Sequence, residues 1–249
     1  MDYLLLLSTI ALGAVSVFAF KLHQPRYIKL LNTFTGAYLL CLTLLHLLPE
    51  LYQADHAHDH SHGGHEAIAV SAFMLGILIL AGFYTQVALD VISMGVEHGH
   101  AHDIHHGHLP IGIIVGLCLH ALIEAMALGS PDSHYDPASR KMLLWSIVLH
   151  NYPVSIALLG TLLHSGMRVR TCLVFLAIFA AMAPIGMFLS ANSHLADYSR
   201  PLTAFVIGIF MHIATTILFE SSDIHRFNFA KLVAIVIGTA LGFLSLLVH

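Results

Sequence analysis

Eight apolar stretches, each about as long as a membrane-spanning helix, constrain this 249-residue chain more than any other feature. A helix needs roughly 20 consecutive apolar residues to cross the hydrocarbon core of a bilayer. The chain is 57% hydrophobic and 10% charged, whereas soluble domains carry about 25% charged residues. The pattern predicts an all-α membrane protein, an eight-transmembrane-helix bundle. The predicted spans are 3–20, 28–51, 68–96, 110–130, 141–164, 169–191, 201–220 and 229–248.

The polar breaks between the spans are short, so residues 1–249 are predicted to form a single transmembrane domain. The first span has no basic segment before it and no cleavage site after it, which favours a retained helix over a signal peptide. None of the three cysteines belongs to a CxxC pair, which argues against a disulfide framework or a thiolate zinc site. The formal net charge of −4 excludes the basic footprint of a nucleic-acid-binding protein.

The distribution of Lys and Arg predicts the orientation of the chain, because cytoplasmic loops are enriched in these residues. Seven lie on one side of the predicted spans: Lys21, Arg26, Lys29, Arg168, Arg170, Arg226 and Lys231. Three lie on the other side: Arg140, Lys141 and Arg200. The first side is therefore predicted to be cytoplasmic. With eight spans, both termini then face outside, in an integral multi-pass protein of the plasma or inner membrane.

Histidine is unusually abundant, with 21 residues against 10 for Lys and Arg together, and much of it lies in two polar loops. The predicted external loop, 54–66, contains His56, His58, His60, His62 and His65. The predicted cytoplasmic loop, 97–108, contains His98, His100, His102, His105, His106 and His108. Histidine-rich tracts bind transition metals such as Zn²⁺. Both loops are therefore predicted to capture metal ions.

Polar residues at membrane depth are costly and indicate functional sites. The ionisable ones here are His46, Glu50, Asp90, His120, Glu124, His150, His212 and Glu220. His120 and Glu124 are four residues apart, so they share one helical face. His150 and Asn151 lie in the next span, where Pro153 frees a backbone carbonyl beside His150. These four side chains are the predicted metal ligands, while His46, Glu50, His212 and Glu220 are predicted to line the pathway.

Several short motifs resemble the Zrt/Irt-like (ZIP) family of divalent-metal transporters. They are HALIEAMALG from His120, HNYP from His150, HLLPE from His46 to Glu50, and AFVIGIFMHIATTILFESS in the seventh span. The resemblance implies a 3+2+3 inverted repeat of eight helices with both termini outside. It also implies a metal site between the fourth and fifth helices, transport towards the cytoplasm, and pairing into a homodimer.

The chain departs from the family pattern at several positions of these motifs. Ala121 and Ile123 stand where the fourth helix typically has Asn and Pro, and Val154 stands where the fifth has Glu. Ala183 precedes Pro-Ile-Gly where the sixth helix often has Glu. Fewer carboxylates predict one bound metal rather than two. A larger share of imidazole favours Zn²⁺ or a similar divalent transition metal over hard cations.

The predicted function is therefore transport of a divalent transition metal, most readily zinc, towards the cytoplasm by rocking of helices around a central site. The metal ion and the lipid bilayer are the predicted partners, without an enzymatic activity or an organic cofactor. Three alternatives stay open. The chain could be a ZIP-like sensor or buffer that does not transport, or a membrane-embedded zinc hydrolase with Glu124 as general base. It could also bind b-type haem between His120 and His150.

Overall fold

A computed structural model describes residues 1–20, 22–53, 70–93, 111–129, 137–192, 198–220 and 229–247, and every regular element among them is helical. The elements are α1 Asp2–Phe20, α2 Pro25–Leu42, a π-helical turn Thr43–Leu47, α3 Leu48–Gln53, α4 Ala72–Ser93, α5 Ile111–Met126, α6 Pro137–His164, α7 Val169–Ala191, α8 Ser199–Glu220 and α9 Phe229–Leu247. The histidine loops 54–66 and 97–108 lie outside the described residues, so their predicted role in metal capture stays a prediction.

The helices follow the predicted spans, and the prediction of an all-helical membrane bundle is confirmed. Seven helices of the described chain are long and apolar enough to cross a membrane when α2, the π-helical turn and α3 are taken as one. The remaining one, α5, has 16 residues. At 1.5 Å per residue it is about 24 Å long, less than the roughly 30 Å hydrocarbon core. It ends at Met126, four residues before the predicted boundary, and the backbone turns at Gly129, where φ is 52°.

The second span changes its helical register in the middle. In the turn Thr43–Leu47 the N–H of Leu48 donates to the carbonyl of Thr43, five residues earlier instead of four. Pro49 follows directly and has no N–H to donate, so an α-helical register is already incomplete at this point. This wider turn contains His46, one of the predicted pathway residues. Single π-helical turns of this kind occur frequently at functional sites.

The packing of the helices comes in two matched sets. The most extensive contacts pair α4 with α8, α2 with α9, α5 with α7, and α1 with α6. Consider an exchange of α1 with α7, α2 with α8, α4 with α9, and α5 with α6. It converts the α4–α8 pair into the α2–α9 pair. It also converts the α5–α7 pair into the α1–α6 pair. The outer exchanged helices, α1 with α7, α2 with α8 and α4 with α9, are five spans apart, and α5 and α6 are consecutive; in every case the two helices run in opposite directions. This pairing is the one expected of a 3+2+3 inverted repeat.

Glycines allow the paired helices to approach closely. A Cβ atom at Gly208 of α8 would fall on the carbonyl oxygen of Ile79 in α4, and one at Gly82 of α4 would fall on that of Phe205 in α8. The lipid around a membrane protein is as apolar as the helix surfaces, so association depends on this close backbone packing. The positions of α4 and α8 relative to each other are therefore set by residues without side chains.

Arginines hold helix ends together at one end of the bundle. Arg140 Nη1 lies 2.8 Å from Asp2 Oδ2, and Arg140 Nε donates to the carbonyl of Leu128 at 3.1 Å. These contacts join the start of α1, the end of α5 and the start of α6, and we name this side the Arg140 end. Arg200 of α8 donates from Nε and Nη2 to the carbonyl of Leu51 in α3, at 3.2 and 2.9 Å. Because successive spans alternate in direction, this second clamp lies at the Arg140 end as well.

Candidate metal site

His120, Glu124 and His150 meet in the interior of the bundle. Each offers one ligand atom, and these atoms all lie within 4.8 Å of one another. The exposed fractions of the three residues are 0%, 0% and 1%. Histidine and glutamate are rarely buried to this degree without a partner or a bound ion. The structure thus brings together three of the four side chains that the sequence predicts as ligands.

The pairwise geometry leaves room for one cation between the three side chains. His120 Nε2 lies 3.2 Å from Glu124 Oε1, and the rings of His120 and His150 are 5.7 Å apart between centroids at an interplanar angle of 86°. Three atoms within 4.8 Å of one another share a point about 2.8 Å or less from each. Zn–N and Zn–O bonds are about 2.0–2.2 Å long, so a contraction of less than about 1 Å gives a bonded site.

Local sequence explains why these side chains point inward. On α5, Leu117, Ala121 and Ala125 are buried with His120 and Glu124 and mark a single inward face. Residues four apart along a helix lie one above the other, so burial of that face brings the imidazole and the carboxylate into contact. Both polar residues are therefore placed by the same helical period that buries their apolar neighbours.

Asn151, the predicted fourth ligand, is fully buried on α6 directly after His150. Among the residues that the structure describes, neither Oδ1 nor Nδ2 of its amide has a hydrogen-bond partner. A buried amide without partners costs free energy, which an additional ligand would offset. The role of Asn151 as a ligand stays a prediction.

Gln86 of α4 contacts the site, although it is absent from the residues predicted from the sequence. It is fully buried, and its Oε1 lies 3.1 Å from His120 Nδ1. Gln86 carries no charge, so a search for ionisable residues at membrane depth does not find it. The run QVALD could have indicated this residue. Gln86 and Asp90 are four residues apart in it, so they place two polar groups on one face of an apolar helix.

Three of the four predicted pathway residues take part in two histidine–carboxylate pairs outside the central group. His46 Nε2 lies 3.3 Å from Glu50 Oε2, with side chains 23% and 25% exposed, at the π-helical turn and α3. His212 Nε2 of α8 lies 3.5 Å from Asp90 Oδ2 of α4, with side chains 11% and 17% exposed. Glu220 is the last residue of α8, and its side chain is outside what the structure describes. The pathway role of all four predicted residues stays a prediction.

The chain is similar in sequence to known zinc transporters. Residues 96–248, more than half of the chain, match the family model described as ZIP zinc transporter. The zinc transporter ZIP9-B of Xenopus laevis is 26% identical over 176 residues, which cover 66% of this chain and 55% of that protein. The zinc transporter ZIP9 of Xenopus tropicalis is 27% identical over 175 residues, 65% of this chain and 54% of that protein. The chain spans about half the length of the curated relatives that it matches.

Proposed function

Because the chain belongs to the ZIP zinc transporter family, we propose that it moves Zn²⁺ or a similar divalent transition metal across the membrane as its substrate. The observation that supports this most strongly is the buried group of His120, Glu124 and His150, whose ligand atoms lie within 4.8 Å. A transporter needs such a site at membrane depth, where helices can rearrange around the bound ion.

The donor set supports a preference for borderline-soft metals. Two neutral imidazoles and one carboxylate suit Zn²⁺, whereas Mg²⁺ and Ca²⁺ prefer oxygen ligands. The substitution of Val154 for the usual glutamate removes a second carboxylate, and Val154 is fully buried. With one negative charge, the occupied site keeps a net charge near +1. We propose one metal per site, with Asn151 as the fourth ligand.

The proposed route runs from the Arg140 end to the opposite end of the bundle. Placing the Arg140 end outside agrees with the distribution of Lys and Arg and puts both termini outside. Metal would be collected by the loop 54–66, pass His46 and Glu50, and reach the central group. It would leave past His212 and Glu220 and be captured by the loop 97–108. Direction towards the cytoplasm and assembly as a homodimer belong to this proposal.

Zinc flux into proteoliposomes that contain a zinc-sensitive dye tests the proposal. Replacing His120, Glu124 or His150 by alanine removes one of three ligands, and each variant should lower the initial rate at least about tenfold. Ser146→Ala is the matched control on α6, one turn before His150. Its hydroxyl is also buried, and it donates to the carbonyl of Met142 in its own helix at 2.9 Å. Unchanged flux in His120→Ala and Glu124→Ala would reject the site.

The same preparation separates transport from a sensor or buffer. The departures at Ala121, Val154 and Ala183 remove ligands that the family typically has, which is the observation that favours the alternative. A sensor or buffer would bind zinc with an affinity that depends on His120 and Glu124 but would give no dye signal inside the liposomes. Binding together with flux supports the transporter, in which Glu124 is a ligand rather than the general base of a hydrolase.

A further inference from the structure

We infer that Gln86 is a positioning residue for the proposed metal site, because its side-chain oxygen holds the His120 ring with Nε2 directed at the metal position. The inference rests on the proposed function and extends the site to a third helix. It is carried by a 3.1 Å contact between Gln86 Oε1 and His120 Nδ1, with both residues fully buried.

The chemistry of the contact selects one form of the imidazole. A neutral histidine carries its hydrogen on one ring nitrogen and accepts with the other. An amide oxygen can only accept, so Nδ1 of His120 donates to Gln86 and Nε2 keeps its lone pair. Nε2 is the nitrogen that lies 3.2 Å from Glu124 Oε1, on the side of the proposed metal. Histidines that bind metals are typically held by such a hydrogen bond from the second nitrogen.

The position of Gln86 is set by the packing of α4 against α5. A Cβ atom at Gly116 of α5 would lie 3.0 Å from Cβ of Ser93 in α4, and one at Gly112 would lie 2.7 Å from the carbonyl oxygen of Ile92. The two backbones are therefore in close contact near the site. With both side chains fully buried, bulk water does not reach the hydrogen bond to compete with the Gln86 oxygen.

Glutamate at position 86 provides a direct test, because a carboxylate can accept but cannot donate. In Gln86→Glu the hydrogen bond to Nδ1 is kept and the added negative charge does not oppose a bound cation, so zinc affinity should fall by no more than about threefold. In Gln86→Leu the acceptor is lost, and the Kd for zinc should rise about 10- to 100-fold, as for other partners of metal-binding histidines. Ser93→Ala is the matched control on α4. Its buried hydroxyl donates within its own helix, to the carbonyl of Asp90 at 3.2 Å.

The Kd of each variant is measured on the full chain in detergent, with Zn²⁺ in competition with an indicator and with Co²⁺ by its absorption bands. The inference is supported if Gln86→Leu loses affinity while Gln86→Glu keeps it. A purely structural role would not depend on whether the side chain at position 86 can accept a hydrogen bond. A wild-type Kd in Gln86→Leu, or equal losses in both variants, overturns the inference. His120→Ala is included in the same series. If His120→Ala and Gln86→Leu both leave the Kd unchanged, the proposed site itself is rejected. If only His120→Ala loses zinc affinity, the site stands and the role of Gln86 is rejected.

Discussion

Two histidine–glutamate pairs in this protein have nearly the same internal geometry but different surroundings. The nitrogen–oxygen distance is 3.2 Å in His120–Glu124 and 3.3 Å in His46–Glu50, and both pairs span one helical turn. The side chains of the first pair are fully buried, whereas those of the second are 23% and 25% exposed. Replacing each glutamate by glutamine keeps the shape and removes the charge. The two substitutions therefore compare a carboxylate in the interior with one near solvent.

The difference in burial sets the expected magnitude. Removing one partner of a buried charged pair costs about 2–5 kcal/mol, which corresponds to about 30- to 5,000-fold in Kd. Glu124→Gln should therefore weaken zinc binding by at least about 30-fold. An ion pair that water can reach is worth about 1 kcal/mol or less, so Glu50→Gln should change the Kd by less than about fivefold. In both variants the glutamine is neutral and has nearly the same size as the glutamate that it replaces, so the fold should not change.

Equilibrium zinc binding to purified protein in detergent, measured by competition with an indicator of known affinity, distinguishes these values. Thermal unfolding of the metal-free variants provides the check that both are folded. The reasoning is refuted if Glu124→Gln binds zinc as tightly as the unchanged chain. It is also refuted if Glu50→Gln costs as much as Glu124→Gln, because burial would then not decide the strength of the site.

Three further results are expected. Gly208→Ala should destabilise the bundle by about 1–3 kcal/mol in thermal unfolding, because its new methyl group falls on the carbonyl of Ile79. The control is Gly76→Ala, whose methyl group would meet its nearest neighbour at 3.8 Å. This variant should unfold at the original temperature. Arg200→Gln should cost about 1.5–3 kcal/mol through its two hydrogen bonds to the Leu51 carbonyl, measured by thermal unfolding, and an unchanged midpoint would contradict a structural role for this clamp. Zinc flux should fall as the pH is lowered from about 7.5 to about 5.5, because the ligands must lose their protons to bind metal, and a flux that rises over this range would oppose the proposed donor set.

The helical membrane class and the contact between His120 and Glu124 follow from the sequence alone. Hydropathy over about 20 residues depends only on neighbours along the chain, so the spans could be placed without knowledge of the fold. The contact between His120 and Glu124 is equally local, because residues four apart meet on any helix. The shortening of α5 was missed, since an apolar run continues beyond Met126 while the backbone turns at Gly129.

Only the tertiary structure decided which partners meet across helices. The ring of His150 on α6 lies 5.7 Å from that of His120 on α5, and Gln86 of α4 contacts Nδ1 of the His120 ring at 3.1 Å. Likewise Asp90 of α4 lies beside His212 of α8, because these two helices are in close contact. These arrangements depend on distances between helices and on the rotation of each helix about its axis. Neither quantity is encoded in the period of a single segment, so both had to come from the packed bundle.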